Sequence, residues 1–356
     1  MKLVARIALN IPIIAICIML IILSDTAVIS AKGAVLRCLN VLIPSLFVFM
    51  ALSGVLISSG AYRILSLPFY PIAKYVFKIP YELFSVILIS NIAGFPIGAQ
   101  MLTELVDNKS IDKRTASILQ CFCYGGGPSF SVGVIGLALY GDKNIGLLIC
   151  LSTLLANLTA ALVIGRLFKP RINALETYKK FTVNDIIIST EKAGKAMLMI
   201  CALVIAFCVI MECIGEMIGK LPIETFHILP PYAKTLIKTV FELSSLSALT
   251  TRSHQLIPLI TALFSFGGVC VLVQVSATVK GKYSLLPFFA TRLPISLIAY
   301  LAAKILYPHM IDDTQYCIAV NDSFIVNFNN FVPSLCLILM IFLLLYRKGL
   351  AFFKDI

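Results

Sequence analysis

Long apolar runs decide what this chain can fold into, among them Ile7–Leu23, Val41–Gly60, Asn144–Phe168, Ala196–Gly219, Leu285–Tyr307 and Val332–Tyr346. Each is about long enough to cross a hydrocarbon core ~30 Å thick. A soluble domain carries roughly 25% charged residues, whereas this 356-residue chain carries 13% and is 60% hydrophobic. The sequence predicts an all-α polytopic membrane protein. Ile7–Leu23 follows Lys2 and Arg6, as the core of a signal peptide would. No small-residue cleavage site clearly follows it, so it reads as a retained first helix.

The net charge of +12 does not point to nucleic acid, because the basic residues sit in short loops where a positive-inside bias places them. The eleven cysteines lack metal spacing. Cys121-Phe122-Cys123 is too tight for a zinc pair and has no second pair to complete it. Most of the others lie in apolar runs, where cysteine acts as a small hydrophobe. No cofactor and no metal are expected.

Some apolar stretches break in the middle. The first breaks at Asn91-Ile92-Ala93-Gly94-Phe95-Pro96-Ile97-Gly98, the second at Gly125-Gly126-Gly127-Pro128, and a third at Ser265-Phe266-Gly267-Gly268 in the other half. An unpaired backbone group in hydrocarbon costs several kcal/mol, so such breaks survive only where protein or a polar cavity receives them. Paired breaks at corresponding points of two halves are a sequence signature of a transporter's binding site.

Charge gives the orientation. With the N-terminus inside, Ile7–Leu23 goes out, a short segment with Lys32 and Arg37 follows, and Val41–Gly60 returns. Tyr81–Glu104 has basic residues on both flanks, including Lys78, Lys109, Lys113 and Arg114. It therefore enters and leaves on the cytoplasmic side as a re-entrant helical hairpin, with its tip at Asn91–Gly98. Ala116–Tyr140 crosses outward through the second break, and Asn144–Phe168 returns to a basic loop, Lys169–Lys195. The second half repeats this upside down: Ala196–Gly219 out, a hairpin at Phe241–Thr251 from outside, Leu256–Val279 back, Leu285–Tyr307 out and Val332–Tyr346 back. About 20 of the 29 basic residues then fall inside and about 7 outside. The total is about eight transmembrane helices plus two re-entrant hairpins. Tyr81-Glu82-Leu83 and Phe241-Glu242-Leu243 open the two hairpins and favour an inverted repeat.

At these residues the chain resembles a known family. Gly94-Phe95-Pro96-Ile97-Gly98-Ala99, then Gly126-Gly127-Pro128, then Ser265-Phe266-Gly267-Gly268 with Gln274 and Arg292, is similar to the YlbJ-like sporulation integral membrane proteins. These carry a nucleoside-recognition (gate) domain related to the hairpin-containing core of concentrative nucleoside transporters. The resemblance covers roughly residues 30 to 307. Where the family pattern leads one to expect an Asn near the Gly-Pro, this chain has Tyr124-Gly125-Gly126. The resemblance implies a role in endospore formation, and export of dipicolinic acid from the mother cell across the outer forespore membrane. The charge-based topology divides the chain into an N-terminal helix (1–30), a first gate-like repeat (31–168), a cytoplasmic linker (169–195), a second, inverted repeat (196–307), and an external loop with a C-terminal helix (308–356).

Dipicolinate is a planar dianion, and holding it in a membrane calls for donors and positive potential. Helix N-termini supply both, and glycine lets backbone approach a ligand closely. The expected binding residues are Asn91, Gly94, Gly98, Gly126, Gly127, Ser129, Gly267, Gly268 and Arg292. Arg292 either meets a substrate carboxylate in bidentate fashion or snorkels to the cytoplasmic face. Glu82 and Glu242 either cap helix N-termini or serve a coupling proton or cation. Gln100, Gln120, Asn157 and Gln274 read as interhelical hydrogen-bond partners.

His227, His254 and His309 lack metal-ligand spacing, and no catalytic triad or phosphate-cradling motif is present, so an enzyme is not expected. The expected partners are the small-molecule anion and membrane lipid, with a homo-oligomer open and nucleic acid excluded. Two alternatives stay open. One is a nucleoside transporter of the same fold; the other is a structural membrane protein of spore assembly that transports nothing.

Overall fold

The computed structural model describes residues 2–173, 182–220, 230–249 and 251–311, and these fold into helices joined by turns. α1 (Lys2–Ile22) leads through Leu23 into α2 (Ser24–Arg37), a wide turn at Cys38–Leu42 and α3 (Ile43–Ser59). Together the last three make one helical run, Ser24–Ser59, of 36 residues. The break expected at Lys32 and Arg37 is therefore corrected. No proline lies between Ser24 and Ile43, and isolated charges do not stop a helix.

α4 (Ala61–Ser66) and several short turns lead to α5 (Phe84–Ile92), α6 (Ile97–Asp107) and α7 (Lys113–Gln120). The chain then unwinds before a wide helix at Ser129–Tyr140 and α8 (Lys143–Phe168). α9 (Val183–Lys220), α10 (Pro231–Phe241), α11 (Ile257–Phe266), α12 (Gly268–Val279) and α13 (Leu286–Met310) complete the described part. Among the described residues five helical runs are long and apolar enough to cross a membrane: Ser24–Ser59, Lys143–Phe168, Val183–Gly219, His254–Val279 and Leu286–Met310. The expected crossing at Ala116–Tyr140 is instead two short helices around the unwound stretch. Val332–Tyr346, Asp312, Asp313, Asp322 and His227 lie outside the described residues.

α2 and α3 run antiparallel along α9. Thr26 hydrogen-bonds Glu216, the Arg37 Nη2 donates to the Cys208 sulfur at 3.2 Å, and Gly54 faces Ser189. At 1.5 Å per residue each run is roughly 54 Å long, well beyond one bilayer core.

Contacts between loops sort the ends of the helices. Lys282 pairs with Asp107 at 2.5 Å, the Asn173 amide donates to the Lys109 carbonyl at 2.8 Å, and Arg166 donates to the Val76 carbonyl at 2.9 Å. The loops expected inside thus gather at one end of the bundle. At the other end Tyr140 donates to the Ser253 carbonyl at 3.1 Å, and His254 Nδ1 meets the Tyr307 hydroxyl at 2.7 Å.

Both ends of the α5–α6 pair lie in the first group, because Ile79 packs on Gly165 before α5 and Asp107 closes α6. Nearly every residue from Glu82 to Leu105 is buried. Lipid-facing helices show an exposed apolar stripe, and α8 does so at Leu151, Leu155 and Val163. α5–α6 is therefore an inner element wrapped by the others.

Local chemistry explains where α7 starts. Asp112 is its N-cap and accepts from the Thr115 N–H at 2.9 Å. Burial pushes the Asp112 carboxyl up, but the Thr115 bonds and nearby Arg114 outweigh it and hold the group below the usual aspartate range. The folded value lies below the unfolded one, so the cap stabilises above the ordinary aspartate pKa and is lost as pH falls through the lowered value. Asp112→Ala is expected to cost about 1 kcal/mol, read as a lower melting temperature at pH 7 that converges on wild type in acid.

Candidate functional site

The breaks in the helices meet one another. α5 ends at Asn91–Ile92, the chain turns through Gly94, a cis Phe95–Pro96 bond follows, and α6 begins at Ile97. Against this turn lies the unwound stretch 121–128. A Cβ on Gly127, whose φ is +71°, would stand 2.9 Å from the Ile92 carbonyl oxygen and 3.2 Å from Gly94. One on Gly98 would overlap the Cys123 carbonyl. These glycines let two backbones touch where side chains would hold them apart.

The second half has a similar junction. α10 ends at Phe241, Glu242 is extended (φ −141°, ψ 114°), and a short 3₁₀ helix runs from Leu243 to Ala248. This bend sits on the third break. A Cβ on Gly268 would lie 3.2 Å from the Thr239 carbonyl and 3.3 Å from the Leu243 nitrogen. Glu82 and Glu242 therefore do not occupy matching positions. Glu82 lies in the turn Tyr81–Leu83 that begins the first pair, while Glu242 is the bend of the second.

Tyr124 joins the two junctions. Its ring packs on Phe95 at 4.3 Å between centroids, and its hydroxyl donates to the Phe266 carbonyl at 2.9 Å, just before Gly267. Gly267 (φ +85°) faces that hydroxyl. Asn91 donates to the carbonyls of Ile87 (2.8 Å) and Phe122 (3.1 Å) and accepts from Asn157 at 2.6 Å. Asn157 also donates to the Tyr124 carbonyl at 2.7 Å. The carbonyls freed by unwinding are thus received by side chains of neighbouring helices, as burial demands.

A cavity of about 50 Å³ lies at this meeting point. Ala93 and Phe95 border it from the first turn, Gly126, Gly127 and Ser129 from the broken crossing. Glu242 and Ser244 close it from the second bend, and Gln274 from α12. This space has room for a few waters and not for a pyridine dicarboxylate. Of the expected residues, Gly126, Gly127, Ser129 and Glu242 line it. Gly94, Gly98, Gly267 and Gly268 pack the junctions behind it, and Asn91 is committed to the framework.

Glu242 is buried and caps the 3₁₀ helix, accepting from the Ser244 N–H at 3.0 Å and the Ser244 hydroxyl at 2.5 Å. The Cys208 thiol lies 3.6 Å away and also meets Arg37. Capping is thus observed for Glu242. At Tyr81–Leu83 the N-cap is Pro80 and supplies no side-chain bond.

Arg292 lies beyond Tyr124, 1% exposed in α13. Its guanidinium carbon is 4.5 Å from the Tyr124 ring centroid and 4.7 Å from that of Phe288. One amino group donates to the Cys121 carbonyl at the C-terminal end of α7. Nε and Nη1 have no hydrogen-bond partner among the described residues. No carboxylate there lies within ion-pair distance of it. Arg292 does not snorkel. It is a buried cation with two donors to spare, one aromatic layer away from the cavity.

Sequence reasoning singled out Tyr124 only as a departure and passed over Ser244 and Cys208. Tyr124 carried a signal, an aromatic hydroxyl beside three glycines. Ser244 and Cys208 carried none, since serine and cysteine are common throughout these helices.

Fold and site together define a class: a multi-pass all-α membrane protein whose helix breaks converge from both halves on a small, partly polar cavity. Over 123 residues the chain is 27% identical to the sporulation integral membrane protein YlbJ of Bacillus subtilis (strain 168), a stretch amounting to 35% of this chain and 30% of that relative. This bears out the YlbJ-like resemblance read from the glycine motifs and supports a membrane protein of sporulation. No family model and no solved structure matches the chain.

Proposed function

We propose that this protein is a transporter, and no enzyme, that moves a small anion, dipicolinate foremost, across the outer forespore membrane during sporulation. The observation that supports it most is the convergence of both helix bends and both broken helices on one cavity, where irregular backbone is tolerated at membrane depth. The shared-end contacts of α5–α6 support the finer reading of a re-entrant hairpin, and the bend at Glu242, reached from the opposite end, supports its inverted counterpart.

With about 50 Å³ of space, the described state is closed. Loading requires the Phe95–Tyr124 pair to part, which joins the cavity to the spare donors of Arg292. A substrate carboxylate then accepts charge-assisted hydrogen bonds from these spare guanidinium donors. Its other end reaches the hydroxyls of Ser129 and Ser244. An ionised Glu242 opposes this, since two like charges ~4 Å apart repel by about 4 kcal/mol at an effective dielectric near 20. Removing that charge therefore favours loading of the anion.

Glu242→Gln tests this step. In proteoliposomes the variant, which keeps the size of the side chain and loses its charge, should take up dipicolinate faster than the wild-type protein. Uptake by the variant no faster than wild type would mean that the Glu242 charge does not oppose loading. A second reading has its own observation: the cavity wall offers a carboxylate, hydroxyls, an amide and the rings of Phe95 and Phe130, with no cation. Those groups suit a neutral nucleoside. Uridine uptake exceeding that of dipicolinate would favour this second substrate.

A further inference from the structure

A groove of about 890 Å³, which shares no lining residue with the cavity, opens beside α7. One face of α7 forms its wall from Lys113 through Ser117 and Ile118 to Cys121. Eight steps of 1.5 Å from Lys113 to Cys121 make this wall about 12 Å deep. Ile164 and Phe168 of α8 face it, with Pro287 and Ala290 of α13. Its lining is mostly apolar, and Phe168 at its edge is 52% exposed.

The mouth of this groove is basic. Lys113, Arg114 and Lys282 stand there. A second, polar pocket of about 340 Å³ adjoins it, sharing Arg114, Ile118 and Phe168 and adding Lys169 and Arg171. The Arg171 backbone is tied to the Thr115 hydroxyl at 3.1 Å and Asn173 to the Ser110 carbonyl at 2.9 Å, so this basic segment is held in place. Two acids face the cluster. Asp107 is taken up by Lys282 at 2.5 Å, and Asp112 caps α7 beside Arg114. Lys113, Arg114, Lys169 and Arg171 have no carboxylate within ion-pair distance among the described residues.

We propose that this paired site binds one anionic phospholipid, its phosphate in the basic pocket and an acyl chain in the apolar groove. Charge complementarity selects the ligand. A zwitterionic lipid offers the same chains without net charge, whereas each Lys or Arg near a membrane surface attracts an anionic lipid. The site lies at the end where the basic loops gather, and that is where such headgroup pockets form between helices. It is independent of whatever the cavity carries.

The test uses the purified full chain in detergent with added dioleoyl phosphatidylglycerol or dioleoyl phosphatidylcholine, read by melting temperature and by native mass spectrometry. Phosphatidylglycerol should raise the melting temperature by several degrees and remain bound as one copy, with at least tenfold preference over phosphatidylcholine. Lys113→Ala with Arg114→Ala, both exposed positions, should erase the preference without lowering the lipid-free melting temperature. Ala290→Trp, which fills the groove, should reduce binding of both lipids. Equal binding of the two lipids by wild type, or a preference that survives the double substitution, would overturn the proposal. So would the same stabilisation by inorganic phosphate or dipicolinate alone, which would make the basic pocket a simple anion site.

Discussion

Gly127→Val is expected to abolish uptake and to destabilise the folded protein by about 2–6 kcal/mol. The position has φ +71°, and its Cβ would lie 2.9 Å from the Ile92 carbonyl and 3.2 Å from Gly94. A β-branched residue in the left-handed region carries strain of roughly 1–3 kcal/mol. Pushing apart a packed junction adds about 1–3 kcal/mol. The control is Gly133→Ala, where an added Cβ meets nothing within 4 Å; it should leave both melting temperature and uptake close to wild type. Equal tolerance at the two sites would mean that the junction of turn and unwound helix is not what glycine preserves.

Arg292→Met separates two roles that the geometry allows. As a C-terminal partner of α7, Arg292 donates to the Cys121 carbonyl, and a hydrogen bond to a charged group contributes about 1.5–3 kcal/mol. As a buried cation lacking a carboxylate, it also carries a desolvation cost that methionine of similar volume removes. These offset each other, so the melting temperature should change little. Dipicolinate uptake should fall at least tenfold, because the spare Nε–H and Nη1–H are gone, while any uridine uptake should persist. A large drop in melting temperature with residual uptake unchanged would make Arg292 a structural capping group alone.

Much of the fold was legible because burial in lipid leaves few options. Apolar length located the runs at 144–168, 256–279 and 285–307 and the part of α9 from Ala196 onward, and glycine with proline located the interruptions at 94–98 and 125–128. The start of α9, residues 183–195, was read as part of the basic loop and is helical instead. Charge placed loops that the structure then gathers at common ends, as Lys282–Asp107 and Asn173–Lys109 show. The helix from Ser24 to Ser59 was missed because Lys32 and Arg37 read as loop residues. Arg37 instead points at Cys208 on α9, a contact that no local pattern announces.

The site was legible in outline and not in detail. Glycine clusters gave the places where backbone approaches something closely. They did not tell whether that something is a ligand or another stretch of the same chain. At Gly98, Gly267 and Gly268 it is the chain itself. The match of Tyr81-Glu82-Leu83 with Phe241-Glu242-Leu243 misled for a related reason. Similar strings can begin one element and bend another, and the extended backbone and side-chain cap at Glu242 distinguish the second from the first.

Uptake of radiolabelled dipicolinate into proteoliposomes holding the purified protein tests the central claim most directly. Saturable uptake above that of protein-free vesicles, absent with Gly127→Val and reduced at least tenfold with Arg292→Met, is the predicted result. Uptake no greater than in protein-free vesicles, with either proton-gradient direction, would contradict it.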